Sequence, residues 1–177
     1  MPMPRLFIIT VFIFSGICNS YCQSKDELVA NIRKLYLEIN DDHSLKKVIL
    51  QNENFLPDAT DGGCSLTGYF KENKICKMDV WVGLSYGVQQ FHYYFENRKL
   101  IFVYETEENF PPVGNQGTLD YTKLKLAFEG RYYFSDGKVI DIKNKGQHRF
   151  GEEPDLIKQM VDDANSYSKL LQSHLIK

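Results

Sequence analysis

Apolar residues recur at three- and four-residue steps near the N-terminus, at Leu28, Val29, Ile32, Leu35, Tyr36 and Ile39. That spacing places them on one stripe of an amphipathic helix. Ser24, with Glu27 three residues on, has the spacing of a capping box at its start. A second stripe near the C-terminus holds Leu156, Ile157, Met160, Val161, Ala164, Tyr167 and Leu171, and Pro154 suits a first helical position. Between the helices the period falls to two. In "TKLKLAFEGRYYF" one side takes Thr122, Leu124, Leu126, Phe128, Gly130, Tyr132 and Phe134, and the other takes Lys123, Lys125, Ala127, Glu129, Arg131 and Tyr133. Such alternation predicts a strand with one buried face.

The strand region repeats itself. "YYFSDGKVI" (132–140), "YYFENRKLI" (93–101) and "GYFKENKIC" (68–76) read as three versions of one hairpin tip. A two-residue loop at Asp136-Gly137 would pair Phe134 with Val139 and send Ile140 and Ile142 to the polar face. A three-residue loop, Ser135-Asp136-Gly137, pairs Phe134 with Lys138, Tyr132 with Ile140 and Gly130 with Ile142, and keeps the aliphatics together. The same loop in the first copy, Lys71-Glu72-Asn73, pairs Leu66 with Met78, Cys64 with Val80 and Cys76 with Gly68. The middle copy puts Arg98 in the left-handed slot, a poorer fit. The expected fold is α+β: an antiparallel β-meander of about six strands, all tips at one end, packed with an N-terminal and a C-terminal helix. Leu45 to Gln51 is an edge strand or an extension of the first helix. "ENFPPVGNQGT" is the longest irregular loop, at the end away from the tips.

The tips resemble those of small exported bacterial proteins of Bacteroidetes type with repeated YYFxxxKLI β-hairpins. More loosely, they are similar to the "Y-x-x-G-K" hairpins of MORN-like repeats. The resemblance covers the three tips and departs at Asn73 and Arg98, where a Gly would stand. It implies hairpin architecture and an exported setting, and it carries no catalytic residues.

Residues 1–22 support export independently. Arg5 precedes an uncharged run from Leu6 to Phe14, followed by small and polar residues, the layout of a signal peptide. The run is well short of the ~20 residues of a membrane span, so no transmembrane anchor is expected in the mature chain. Ser20 and Cys22 fit cleavage before Gln23. Lipidation at Cys18 is the alternative, against which Ile17 is not small. Cleavage would leave residues 23–177 as a single α+β domain with 20 basic against 23 acidic residues. A mildly acidic chain without a basic cluster gives no support to nucleic acid as a partner and no electrostatic reason to bind an anionic membrane. The two remaining cysteines, Cys64 and Cys76, would sit four residues apart along the ladder, roughly 13 Å. A disulfide needs about 7 Å, so two buried free thiols are expected.

Candidate chemistry is sparse. None of His43, His92, His148 and His174 pairs with another His or Cys at metal-ligand spacing. "DDH" at Asp41 to His43 reads as a solvated turn, and "DATDGG" at Asp58 to Gly63 lacks the alternating acids of a calcium loop. No serine has a nucleophile-elbow context and no Gly-rich loop precedes a helix. No catalytic residue, metal or cofactor is therefore assigned. Glu105, Glu107 and Glu108 could do acid–base work, although an exposed acidic strand end is commoner. One feature stands out. With Phe70, Phe95 and Phe134 on the core face, the opposite face carries Tyr69, Trp81, His92, Tyr94, Phe102, Tyr104, Arg131 and Tyr133. Tyr69, Tyr94 and Tyr133 fall in one row with a strand skipped between each. Either the second helix covers this face, or it binds a partner protein or a glycan, since Tyr and Trp suit both. The expected role is an exported, non-enzymatic binding protein using Tyr69, Trp81, His92, Tyr94, Tyr104 and Tyr133. The runner-up is a small hydrolase using the Glu105–Glu108 carboxylates.

Overall fold

A computed structural model describes residues 24–56, 60–114, 117–149 and 155–175. The signal-like segment, Asp58 and Pro154 lie outside these residues. Helix α1 (Lys25–Asp41) begins as its sequence predicts: the Glu27 backbone N–H donates to Ser24 Oγ at 3.2 Å, and the Ser24 N–H donates back to the Glu27 carboxylate at 3.0 Å. Two orphan donors of the first turn are thereby satisfied. Helix α2 (Leu156–Leu175) buries Met160, Ala164 and Leu171 of the predicted stripe, and Leu175 beyond it.

Among the described residues nine strands lie between the helices. They are β1 (Lys46–Gln51), β2 (Cys64–Lys71), β3 (Lys74–Leu84), β4 (Gly87–Glu96), β5 (Lys99–Asn109), β6 (Pro112–Val113), β7 (Thr118–Leu119), β8 (Lys125–Ser135) and β9 (Lys138–Gly146). Seven form one antiparallel sheet in the order β1-β2-β3-β4-β5-β8-β9, and β6 with β7 makes a separate two-stranded ribbon within the long loop. The α+β meander is as expected, and Leu45–Gln51 resolves into the edge strand β1.

The hairpin tips differ from the expected three-residue loops. Each turn has two residues, both at positive φ: Glu72 and Asn73 (48° and 62°), Asn97 and Arg98 (50° and 65°), Asp136 and Gly137 (48° and 76°). These are the mirror-image turns whose twist matches a hairpin. Phe134 therefore pairs with Val139, not Lys138, and Phe70 pairs with Ile75. The conflict with the apolar pattern is removed by a β-bulge one step further on. Tyr132 meets Ile142, not Ile140; Gly68 meets Met78, not Cys76; and Cys64 meets Val82, not Val80. The extra residues are Cys76, Ile101 and Ile140, at the same place in all three hairpins. A bulge sets two neighbours on one side of the strand and restores the phase beyond it.

Both sheet faces are covered, one by each helix. Helix α2 closes a core of Leu66, Phe70, Met78, Tyr93, Phe95, Val103, Tyr132 and Phe134. Gly68 is its seat: a Cβ there would lie 2.8 Å from the Leu171 side chain. Helix α1 lies on the other face, where Val29 and Ile32 pack with Tyr94, Ile101, Phe102 and Tyr133. Each such aliphatic side chain contributes about 1.5–3 kcal/mol by leaving water. The two cysteines are free, as expected, but not both in the core: Cys64 is buried, whereas the bulge leaves Cys76 half-buried. Burial pushes the Cys76 thiol upward, despite the opposing Lys71 contacts. Among the described residues no helix is long and apolar enough to cross a membrane.

Candidate functional site

The tyrosine row exists in the expected order. Tyr69 pairs with Lys77, Lys77 with Tyr94, Tyr94 with Phe102, and Phe102 with Tyr133. Its centre is not open, because α1 lies across it. Tyr94 and Tyr133 are each 2 % exposed. The Tyr36 ring packs at 5.0 Å from Tyr94 and edge-on at 5.7 Å from Phe102. The helix also satisfies the phenol tips: Tyr94 donates to Asn40 Oδ1 at 3.2 Å, and Arg33 Nε donates to the Tyr133 hydroxyl at 3.4 Å. The covering helix is thus the first one, not the second. Burial raises Tyr94 well above an ordinary phenol.

The remaining four candidates, Tyr69, Trp81, His92 and Tyr104, are half-buried. Two of them belong to a polar belt just beyond the helix. Asp79 accepts from His92 Nδ1 at 2.6 Å; burial pulls the Asp79 carboxyl upward, but the His92 hydrogen bond and the His92 and Lys77 charges hold it below the usual range. The His92 ring stacks on Tyr104 (5.9 Å between centroids, 18° between planes). The Tyr104 hydroxyl donates to Glu129 at 2.8 Å, and Glu129 also pairs with Arg131, whose guanidinium lies 5.3 Å from the Tyr104 ring centroid. Burial and the Glu129 contact push Tyr104 up to about 12. A cleft of about 290 Å³ opens here between α1 and the sheet, walled by Arg33, Tyr36, Tyr104 and Arg131. Tyr69 sits apart, between Lys77 (5.1 Å) and Lys47 (5.3 Å). Trp81 lies one row further from the tips, opposite Gln90.

The second constellation lies on the α2 face. Glu105 and Glu107 are 0 % and 2 % exposed, not the solvated strand end that their sequence suggests. His148, just after β9, brings Nε2 to 3.3 Å from Glu105 Oε1 and 3.3 Å from Glu107 Oε1. The Tyr132 hydroxyl donates to Glu105 Oε2 at 3.0 Å, Gln89 Nε2 to Glu105 Oε1 at 3.2 Å, and the Arg149 backbone N–H to Glu107 Oε2 at 3.0 Å. Gly130 stands opposite Glu105 in the ladder, and a Cβ there would lie 2.8 Å from the Tyr132 hydroxyl. Its missing side chain lets Tyr132 reach the carboxylate. Burial raises the Glu105 carboxyl, and hydrogen bonds from Tyr132 and Gln89 with the His148 charge oppose it. His148 borders a cavity of about 240 Å³ shared with Gln89, Tyr93, Met160 and Asp163. Sequence spacing could not join His148 to a strand 41 residues earlier. Strand parity carried a usable signal, because Glu105 and Glu107 alternate in phase with the core residue Val103.

Glu108 does not join this pair: as the next residue along β5 it falls on the other side of the strand, where Gln90 Nε2 donates to its Oε2 at 3.4 Å, and it is half-buried. In comparisons with known proteins, no family model, no curated sequence and no solved structure matches this chain.

Proposed function

We propose that the protein is an exported, non-enzymatic binding protein. Its ligand, a glycan in the first instance, docks where α1 leaves the aromatic face open. The observation that supports this most is Tyr104. Its ring is held between the His92 plane and the Arg131 guanidinium, and the residue lines a cleft of about 290 Å³. A fixed aromatic plane beside hydrogen-bonding groups suits a sugar ring, and Tyr and Arg are also the residues on which protein interfaces depend. Tyr94 and Tyr133 take a supporting role, anchoring α1 as the cleft wall.

The test is a glycan screen of the full chain, followed by calorimetry on any hit with wild-type and Tyr104→Ala protein. Loss of 2 kcal/mol or more of binding, the size of a hot-spot effect, is expected. Binding unchanged by Tyr104→Ala would place the ligand elsewhere. A protein captured through Tyr104, with no glycan bound, would replace the glycan with a partner protein.

A second reading, a small hydrolase, is favoured by one observation. The Glu105 and Glu107 carboxylates contact an imidazole that borders a cavity. A hydrolytic activity lost in Glu107→Gln, with folding intact, would favour it over the binding role.

A further inference from the structure

We propose that Glu105, Glu107 and His148 form a binding site for one divalent transition-metal ion, zinc foremost, separate from the cleft on the opposite face. The proposal does not rest on the binding role or the hydrolase reading. Glu105 and Glu107 are two residues apart on β5, so both side chains point to the α2 face. His148 arrives from the chain beyond β9. Its Nε2 atom lies 3.3 Å from Oε1 of each carboxylate. Two metal–ligand bonds of about 2.0–2.1 Å at a tetrahedral angle separate their donor atoms by about 3.3 Å. The three donor groups lie within 4.8 Å of one another, close enough for one ion to draw them together.

The surroundings have the organisation that metal ligands require. Each carboxylate has its Oε2 atom fixed by a donor, Tyr132 for Glu105 and the Arg149 N–H for Glu107, which turns the Oε1 atoms toward the imidazole. Gln89 steadies Glu105 further. The Phe128 ring stands edge-on to His148 at 4.9 Å and fixes its plane. Outer partners of this kind hold ligands in orientation.

Charge supplies an independent argument. Two carboxylates at 0 % and 2 % exposure have, among the described residues, no lysine or arginine side chain paired with either. Two carboxylates this close together in a dry site are unfavourable unless a cation sits between them. A divalent ion with a neutral imidazole brings the sum to zero. One nitrogen among oxygen donors suits zinc or manganese better than calcium or magnesium, which prefer oxygen alone. His148 also borders a cavity of about 240 Å³, through which water can approach the imidazole.

The same distances would serve a proton shared by the three groups, and the experiment separates the two. Tag-free full chain, stripped with chelator, is titrated with Zn²⁺, Mn²⁺, Mg²⁺ and Ca²⁺ by calorimetry and by thermal melting. One equivalent of Zn²⁺ is expected, with a raised Tm, because an ion that binds only the folded state stabilises it. Mg²⁺ and Ca²⁺ should bind more weakly. Tyr132→Phe, which frees Glu105 Oε2 without removing a ligand, should weaken Zn²⁺ about 10–100-fold. His148→Ala should abolish the one-equivalent site. No Zn²⁺ binding by the wild-type chain overturns the proposal and assigns the neutralising role to a proton. Undiminished binding in Tyr132→Phe and His148→Ala overturns it also, by moving the metal elsewhere. Should His148→Ala not fold, the wild-type and Tyr132→Phe titrations still decide.

Discussion

The hairpin-tip end of the sheet and its far end are built from the same strands and do different work. Near the tips, Phe70, Phe95 and Phe134 face α2, while Tyr94, Phe102 and Tyr133 face α1, and all six are buried. Two to six residues further along β3, β4, β5 and β8 the composition changes. One face there carries Glu105 and Glu107 with Gln89; the other carries Asp79, His92, Tyr104, Glu129 and Arg131. The tip end gains from burying apolar area, which needs no fixed partner. The far end is made of groups that are unfavourable to bury unless each finds a partner. A sheet can thus concentrate its stability at one end and leave the other to recognise a ligand. On one face α1 marks the boundary: it lies over Tyr94, Phe102 and Tyr133 and only borders the polar belt, through Arg33 and Tyr36.

The largest test of this contrast is truncation at the tip end. Phe134→Ala and Tyr94→Ala remove fully buried rings from opposite faces, and each should lower stability by about 3–5 kcal/mol in denaturant melts. Tyr104→Ala, at the far end and half-exposed, should lower it by less than about 1.5 kcal/mol, below that core range. A small effect of Tyr94→Ala would mean that α1 is not firmly seated, and the division between ends would fail on that face.

Alkaline pH gives a graded test. Burial first, with the nearby carboxylates Asp79, Glu129 and Asp163 respectively, raises Tyr69, Tyr104 and Tyr167 from the ordinary 10.0 to about 12. A raised folded-state value means that the neutral phenol is favoured in the fold. That contribution is complete below the unfolded value of 10.0 and is lost as pH rises toward 12. The phenolate absorbance lost in a Tyr→Phe variant at each of these positions should therefore appear, in the wild type, together with the change in circular dichroism across this window. Phenolate appearing near its ordinary value with the fold intact would show these tyrosines to be solvated.

The smallest effect concerns the middle turn. Arg98 holds φ 65°, a left-handed conformation that disfavours a Cβ. Arg98→Gly should raise stability by about 0.5–1 kcal/mol, the strain relieved being partly offset by the freer unfolded chain. A loss of stability would show that the Arg98 side chain contributes more than its backbone strain removes.

Much of the scaffold was readable from local rules. The Ser24/Glu27 cap, both amphipathic stripes and the pairing of repeated segments all follow from spacing over a few residues. The tips were not readable by alternation alone, because alternation assumes an unbroken phase. Asp136-Gly137 signalled a two-residue turn and the aliphatics signalled the opposite register; a bulge satisfies both. The aromatic row was legible as a row, but not as a covered one, since nothing local says which helix crosses which face. Of the six candidates, Tyr94 and Tyr133 lie beneath α1, Tyr104 lines the cleft with His92 stacked on its ring, and Tyr69 and Trp81 lie apart from it. The Glu105–Glu107–His148 cluster escaped because its imidazole comes from beyond two further strands of the main sheet. Only the core phase of the two glutamates hinted that their charge needed an inward partner.

The three bulges carry a consequence for how length changes would be tolerated. Deleting a residue elsewhere in a hairpin turns every later side chain to the wrong face. Deleting Cys76, Ile101 or Ile140 leaves a regular ladder, with every remaining pair unchanged. Each hairpin therefore has one dispensable position, and the three do not weigh alike. Ile101 and Ile140 lend an extra aliphatic side chain to the surface on which α1 rests, whereas Cys76 is not part of that cluster. Shortening the first hairpin at Cys76 should pass almost unnoticed, and shortening the other two should loosen the grip on the first helix.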